Sequence, residues 1–457
     1  MLDIGTSLLA FVVAISVLVA VHEFGHYWVA RRLGFKVLRY SIGFGRPILK
    51  WRGKGPDYIE YWISSLPLGG YVKMLDEREG PVPSAESHRA FGRRPIPHRI
   101  AVLLAGPGFN FLFAIAAYWL MLSIGVPGLR PVIGEVQPGS TAEQAGLAAR
   151  DEIETVGGRR TVTLEEATLA IFNDILDHQR VELTVRSADG DLKDVRFDLE
   201  GRTRELTEQQ ALFERLGFRP GPVVRAIPSK VTEGSPAEAA GLEPGDRIVR
   251  IDSTPIATWL ELVDYVRARP GQTAEFTVER GGETLVLPIA IGEVEVDGET
   301  IGRIGIEIPT AFAPEDVEAL RIERRYGVLQ SLPMAVAKTW EMSALTVKFM
   351  GHMLVGEVSP KNMSGPIAIG DFAGESARAG FKAFISFLAV VSLSLGIINL
   401  VPIPLLDGGQ VVYQIAEAIK GKPLSERAMV LGQQIGILLL AVLMTFVIYN
   451  DITTRIG

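Results

Sequence analysis

An apolar run over roughly residues 5–30 is long enough to cross a bilayer, yet it carries His22, Glu23 and His26 within it. A membrane crossing takes about 20 apolar residues, and an ionisable side chain at that depth costs several kcal/mol unless something offsets it. The run is therefore a membrane helix with a use for its polar groups. The pattern His-Glu-Phe-Gly-His supplies one. Positions i and i+4 of a helix lie one above the other on one face, so His22 and His26 can reach a single Zn2+, with Glu23 beside them to take a proton from water. The 457-residue chain has no cysteine, so any metal must be bound through His, Asp or Glu. The alternative, a pair of satisfied helix histidines with a solvated Glu, suits a soluble helix; in a membrane run it leaves a costly unpaired carboxylate.

Three further runs, at about 100–125, 383–406 and 429–448, meet the same length rule, and 47% of the residues are hydrophobic. The expected fold is a polytopic α-helical membrane protein with four transmembrane helices. Residues 31–99 hold 14 Lys+Arg against 6 Asp+Glu in a chain of net charge −7. Cations close to membrane segments favour the cytoplasm, so the first helix runs outside to inside and both termini lie outside. The basic excess is a topology signal, and no nucleic-acid partner is expected. A signal peptide fits the N-terminus less well, because it carries Asp3 and no cation before the apolar run.

Residues 126–325 are Gly-rich and charged, with alternating strand-like runs. They contain an internal repeat: GSTAEQAGLAARDEI from Gly139 matches GSPAEAAGLEPGDRI from Gly234. Ser140/Ser235, Gly146/Gly241, Leu147/Leu242 and Asp151/Asp246 share one offset, which predicts two copies of one small β-rich domain. The first copy has Arg150 where the second has Gly245, so its turn is expected to differ.

A catalytic zinc takes a third protein ligand and keeps one position open. His88, His98, His178 and His352 lie outside the apolar spans, which leaves Asp407, in GIINLVPIPLLDGGQVV. His22 and His26 are near the inner end of the first span and Asp407 is at the C-terminal end of the third. The two ends meet if those helices are parallel, with one span between them. A helix-ending Asp-Gly-Gly turn is the alternative. Residues 328–354, interrupted by Lys338, Glu341 and Lys348, are expected to form an amphipathic helix at the outer interface. Residues 37–75 have strand-like runs around a Gly-rich turn and are read as a membrane-associated β-hairpin. Gly43 and Gly45 would permit close backbone approach by an unwound substrate; a cytoplasmic hairpin without substrate contact is the alternative.

HEFGH in the first span, NLVPIPLLDGG in a later one and the repeats between them resemble the site-2 protease family of intramembrane zinc metalloproteases. GFG at Gly43–Gly45 and SGPIAI from Ser364 match patterns of that family. The repeats resemble PDZ domains, which capture peptide ends by strand addition. The resemblance implies a zinc metalloendopeptidase of a bacterial inner membrane with His22, His26 and Asp407 as metal ligands, Glu23 as general base and Asn399 helping to hold substrate. It also implies single-span membrane substrates, namely an anti-sigma factor after a first cut and leftover signal peptides, in the regulated intramembrane proteolysis of an envelope stress response. A non-catalytic PDZ adaptor and a membrane-embedded zinc hydrolase acting on lipid are the competing readings.

The expected layout is the first span with its zinc motif (1–36), the hairpin region (37–99) and the second span (100–127). PDZ-like domains on the outer face follow (128–220 and 221–310), then the interfacial helix and a loop (311–380). The third span with the LDGG motif (381–409), a cytoplasmic loop (410–428) and the fourth span with an outer C-terminus (429–457) complete it.

Overall fold

The computed structural model describes residues 2–78, 80–208, 211–296, 299–307 and 314–456. It forms two compact units, one made of Met1–Val126, Arg324–Leu354 and Pro360–Gly457, the other of Pro127–Glu323 and Val355–Ser359.

The first unit is helical, with a single small sheet. Its elements are α1 (Leu2–Arg32), β1 (Val37–Arg52), β2 (Glu60–Met74), α2 (Ile96–Ile124), α3 (Val328–Leu354), α4 (Pro366–Ala379), α5 (Phe381–Leu400), α6 (Asp407–Lys420) and α7 (Glu426–Ile456). Among the described residues four helical stretches are long and apolar enough to cross a membrane: Gly5–Arg32, Ile96–Ile124, Phe381–Leu400 and Glu426–Thr453. In lipid the apolar effect no longer drives helices together, so small residues that let backbones approach matter more. Gly25, the fourth residue of HEFGH, is one such residue: a Cβ there would come within 2.4 Å of Ala105 O. α1 and α2 therefore cross closely at the level of the histidines.

The hairpin is bent. Residues 39–42 of β1 pair with residues 70–73 of β2 on one side and with residues 60–63 on the other, and residues 60–63 pair in turn with 49–52. Two long strands thus make a curled sheet of four short segments, with 70–73 at one edge. Gly43 and Gly45, both at positive φ (89° and 85°), allow the bend. Two ion pairs brace the far end: Arg89 donates to both Asp57 oxygens at 2.7 Å, and Arg39 to Glu60 at 2.8 Å. Each arginine holds its partner's carboxyl below the ordinary carboxylate range.

Residues 328–354 form one continuous helix, α3, whose contacts follow α2. Ser331 Oγ is 2.7 Å from Ser123 Oγ, Trp119 Nε1 donates to Val328 O, and Met342 and Met350 pack against the cluster of Ala114, Leu393 and Ile397.

The expected span 381–409 and loop 410–428 take another form here. α5 stops at Leu400, residues 401–406 are irregular, and α6 begins at Asp407. Pro402 and Pro404 account for the break, since each lacks an N–H and disfavours helix at the residue before it. Gly408 and Gly409 then fold against that segment: a Cβ on either would approach the carbonyls of Leu400 or Ile403 within about 2.2 Å. Within the expected loop of 311–380, residues Pro366–Ala379 are helix α4. Its N-terminus is capped from α7, where Asp451 accepts from Gly365 N, Ile367 N and Ala368 N at 2.8, 3.0 and 3.1 Å.

The second unit contains the repeat. The first copy has a four-stranded antiparallel sheet in the order Arg159–Arg160, Glu152–Val156, Arg180–Arg186, Leu192–Asp198; the second has the same order over Thr254–Pro255, Arg247–Ile251, Thr273–Arg280, Glu283–Ala290. Each covers its own core, one centred on Phe197 and Phe218, the other on Phe276 and Trp259. The repeated residues are largely structural. Ser140 and Ser235 cap short helices by accepting from Glu143 N and Glu238 N, and Asp151 and Asp246 close turns by accepting from Ala148 N and Glu243 N. The expectation of a different turn at Arg150 is overturned. Arg150 takes φ 71° where Gly245 takes 92°, so the turn is kept and the first copy bears the cost of a side chain in the left-handed region, about 1–2 kcal/mol.

Candidate metal centre

His22 and His26 point from one face of α1 to the start of α6. His22 Nε2 lies 3.2 Å from Asp407 Oδ2, His26 Nε2 lies 3.4 Å from the same oxygen, and the two Nε2 atoms are 3.2 Å apart. A tetrahedral zinc with ligands at about 2.0–2.1 Å separates its ligand atoms by about 3.3 Å, which these three edges match. Asp407 Oδ2 is buried and makes no well-formed hydrogen bond, although two imidazoles face it. Three donor atoms this close together form a donor set that fits zinc. Among the described residues this is the one such group of three.

Glu23 is buried next to them, with its side chain against the hairpin: a Cβ at Gly70 would fall 2.9 Å from Glu23 Cγ and 2.6 Å from Ser41 O. The edge segment of the sheet thus runs against the Glu23 side chain. Tyr40, on the neighbouring segment, donates to Ala20 O at 2.8 Å; burial, reinforced by the charge of Glu23, pushes its phenol up, so it remains a donor.

The structure brings His22, His26 and Asp407 together as the sequence reading expected, with one difference of placement: Asp407 opens α6 instead of closing α5. Asn399 is half-buried one residue before the end of α5. Gly43 and Gly45 serve the hairpin's own geometry, because a Cβ at Gly43 would meet Leu66 O at 2.8 Å and Ser64 O at 3.1 Å.

Sequence reasoning missed what α2 contributes. Val102, Gly106 and Asn110 are spaced by four residues and so share a face. His26 Nδ1 is 2.8 Å from Val102 O, a Cβ at Gly106 would come within 2.3 Å of His26 Nε2 and 2.7 Å of His22 Cε1, and Asn110 Nδ2 is 3.1 Å from His22 Nδ1. A polar Asn inside an apolar run was the available signal, by the same reasoning that picked out HEFGH. Gly106 left none.

The model of peptidase family M50 matches residues 10–443. The chain belongs to peptidase family M50. As in that family, it is a site-2-protease-type zinc metalloendopeptidase carried by a multi-pass membrane unit. It is 41% identical over 452 residues to the regulator of sigma-E protease RseP of Salmonella typhimurium, covering 99% of each chain, and 40% identical over 452 residues to RseP of Escherichia coli, with the same coverage. A protein of Vibrio cholerae named as a zinc metalloprotease is 41% identical over 464 residues, covering 99% of this chain and all of its own. With family and metal in place, the orphaned oxygen of Asp407 and the two converging Nε2 atoms become the natural candidates for the M50 zinc.

Proposed function

We propose that His22, His26 and Asp407 hold the zinc of an intramembrane protease and that Glu23 is its general base. The observation that carries this reading is the convergence of three donor atoms at 3.2–3.4 Å beside a buried carboxylate. Zinc supplies Lewis acidity, which makes water acidic enough to give up a proton near neutral pH and polarises the scissile carbonyl. Glu23 accepts that proton and returns it to the leaving amine, so no covalent acyl-enzyme forms. The substrate must reach the site unwound, because a helical carbonyl is already hydrogen-bonded and in lipid has no other partner. Residues 70–72 lie along an edge of the sheet beside the Glu23 side chain, where an extended substrate can add as a further strand, with Gly43, Gly45 and Asn399 as further substrate-binding positions that the family resemblance suggests.

The substrates are single-span membrane proteins: an anti-sigma factor after a first cut, for which the sigma-E regulators among the relatives are the support, and remnant signal peptides. The basic segment 31–99 supports an orientation with the metal toward the cytoplasmic side of an inner membrane and both termini and the repeats in the periplasm. There the repeats, as PDZ-like domains, screen substrates by size.

Glu23→Gln tests the assignment. The variant keeps the shape of the site and all three ligands, so it should hold one zinc per chain while cleavage of a single-span peptide falls by roughly 10²–10⁴-fold, the usual worth of a general base. Unchanged cleavage would remove Glu23 from the reaction. A parent chain that holds zinc but cuts nothing would favour the adaptor reading.

A further inference from the structure

We propose that Asn110 is the positioning residue for His22, its amide oxygen accepting the Nδ1 proton and so leaving Nε2 free to bind the metal. The inference rests on the zinc reading above and concerns a residue of α2 that lies outside the ligand set.

The argument starts from the tautomer. A neutral imidazole carries one proton, so a histidine that ligates through Nε2 must keep that proton on Nδ1, and Nδ1 then needs an acceptor. His26 has one: its Nδ1 is 2.8 Å from Val102 O. A backbone carbonyl can only accept, so His26 must donate there and its Nε2 is left with a lone pair. His22 Nδ1 is 3.1 Å from the side-chain amide nitrogen of Asn110. α1 and α2 run side by side here, and Val102 and Asn110, two turns apart, meet His26 and His22, one turn apart, with Gly106 between them making room for both rings.

With its nitrogen toward His22, the Asn110 amide would donate to Nδ1 and force the ring proton onto Nε2, the atom that faces Asp407. That tautomer has no lone pair for a metal. Asn110 itself is fully buried. A half-turn of the amide presents the oxygen instead, and amide nitrogen and oxygen exchange places without any change of shape. The oxygen then receives the Nδ1 proton, and both histidines are oriented in the same way by one face of one helix.

The test uses the full-length protein in detergent, with zinc affinity measured by competition against a chromophoric chelator. Asn110→Leu, of similar volume and with no acceptor, should weaken zinc binding by about 10–100-fold, the usual effect of losing such a partner. Asn110→Asp, which can accept but not donate, should stay within a few-fold of the parent. The cobalt-substituted Asp variant should keep the parent's visible absorption, a signature of ligand geometry that a loss of packing alone would not preserve. Should the Leu variant fail to fold, Asn110→Ala replaces it with the same expected loss. Equal zinc affinity in the parent and the Leu variant, or an Asp variant as weak as the Leu variant, would overturn the inference while leaving the metal site intact. A parent chain that takes up no zinc would overturn the reading on which both depend.

Discussion

Gly106 faces both histidines with a hydrogen where any other residue would carry a methyl group or more. Alanine is the better helix former by about 1 kcal/mol, yet its Cβ would sit 2.3 Å from His26 Nε2, a separation that requires one helix to move. Gly106→Ala should therefore weaken zinc binding and cleavage together by roughly 5–150-fold, an overpacking cost of about 1–3 kcal/mol, and chelator competition on the purified variant would show it. A variant that kept the parent's zinc affinity would mean that α1 and α2 can separate without harm to the site. His22, Glu23, His26 and Asp407 were legible because each is an ionisable group in apolar surroundings and had to be explained. Gly106 was not, since the space it leaves is a property of the neighbouring helix.

The elements differ in how far their ends are written locally. α5 ends where Pro402 and Pro404 say it must, and the repeat announces two domains through one shared offset. α4 was missed because its N-terminal cap, Asp451, comes 86 residues later than Gly365, whose N–H it accepts, and no scan of the local sequence finds it. Asp451→Ala should loosen that helix start by about 1–2 kcal/mol, read as faster hydrogen exchange at Gly365, Ile367 and Ala368 with little change in the middle of α2. In the second repeat the turn at Asp246 makes a prediction about pH. Burial alone would raise its carboxyl, but the Arg280 guanidinium at 2.6 Å and the Glu243 N–H at 2.8 Å outweigh burial and hold it below its ordinary value. A carboxyl lowered on folding contributes stability above its unfolded pKa, near 4, and loses it as pH falls through the folded value. Between pH 5 and pH 3 the parent should therefore lose more of the second repeat's thermal stability than Asp246→Asn does. The variant should start from a lower midpoint at pH 7. Equal pH dependence in the two would show that Arg280 contributes nothing.

At the scale of the whole molecule, every proposed ligand, the base and the residues that orient them belong to the membrane unit, and the repeats form a unit with cores of their own. Deleting residues 128–310 should leave zinc content unchanged and cleavage of a short, pre-trimmed substrate intact, while allowing an untrimmed substrate to be cut. A zinc-loaded deletion variant that no longer cuts the short substrate would instead make the repeats a recruiting device. The same arrangement sets a timetable for synthesis. His22 and His26 are made before Asp407, which follows only after the second span, both repeats and the third span. A chain interrupted between His26 and Asp407 carries two of the three proposed ligands and no complete site. The order of translation alone thus keeps an unfinished chain from assembling the proposed metal site.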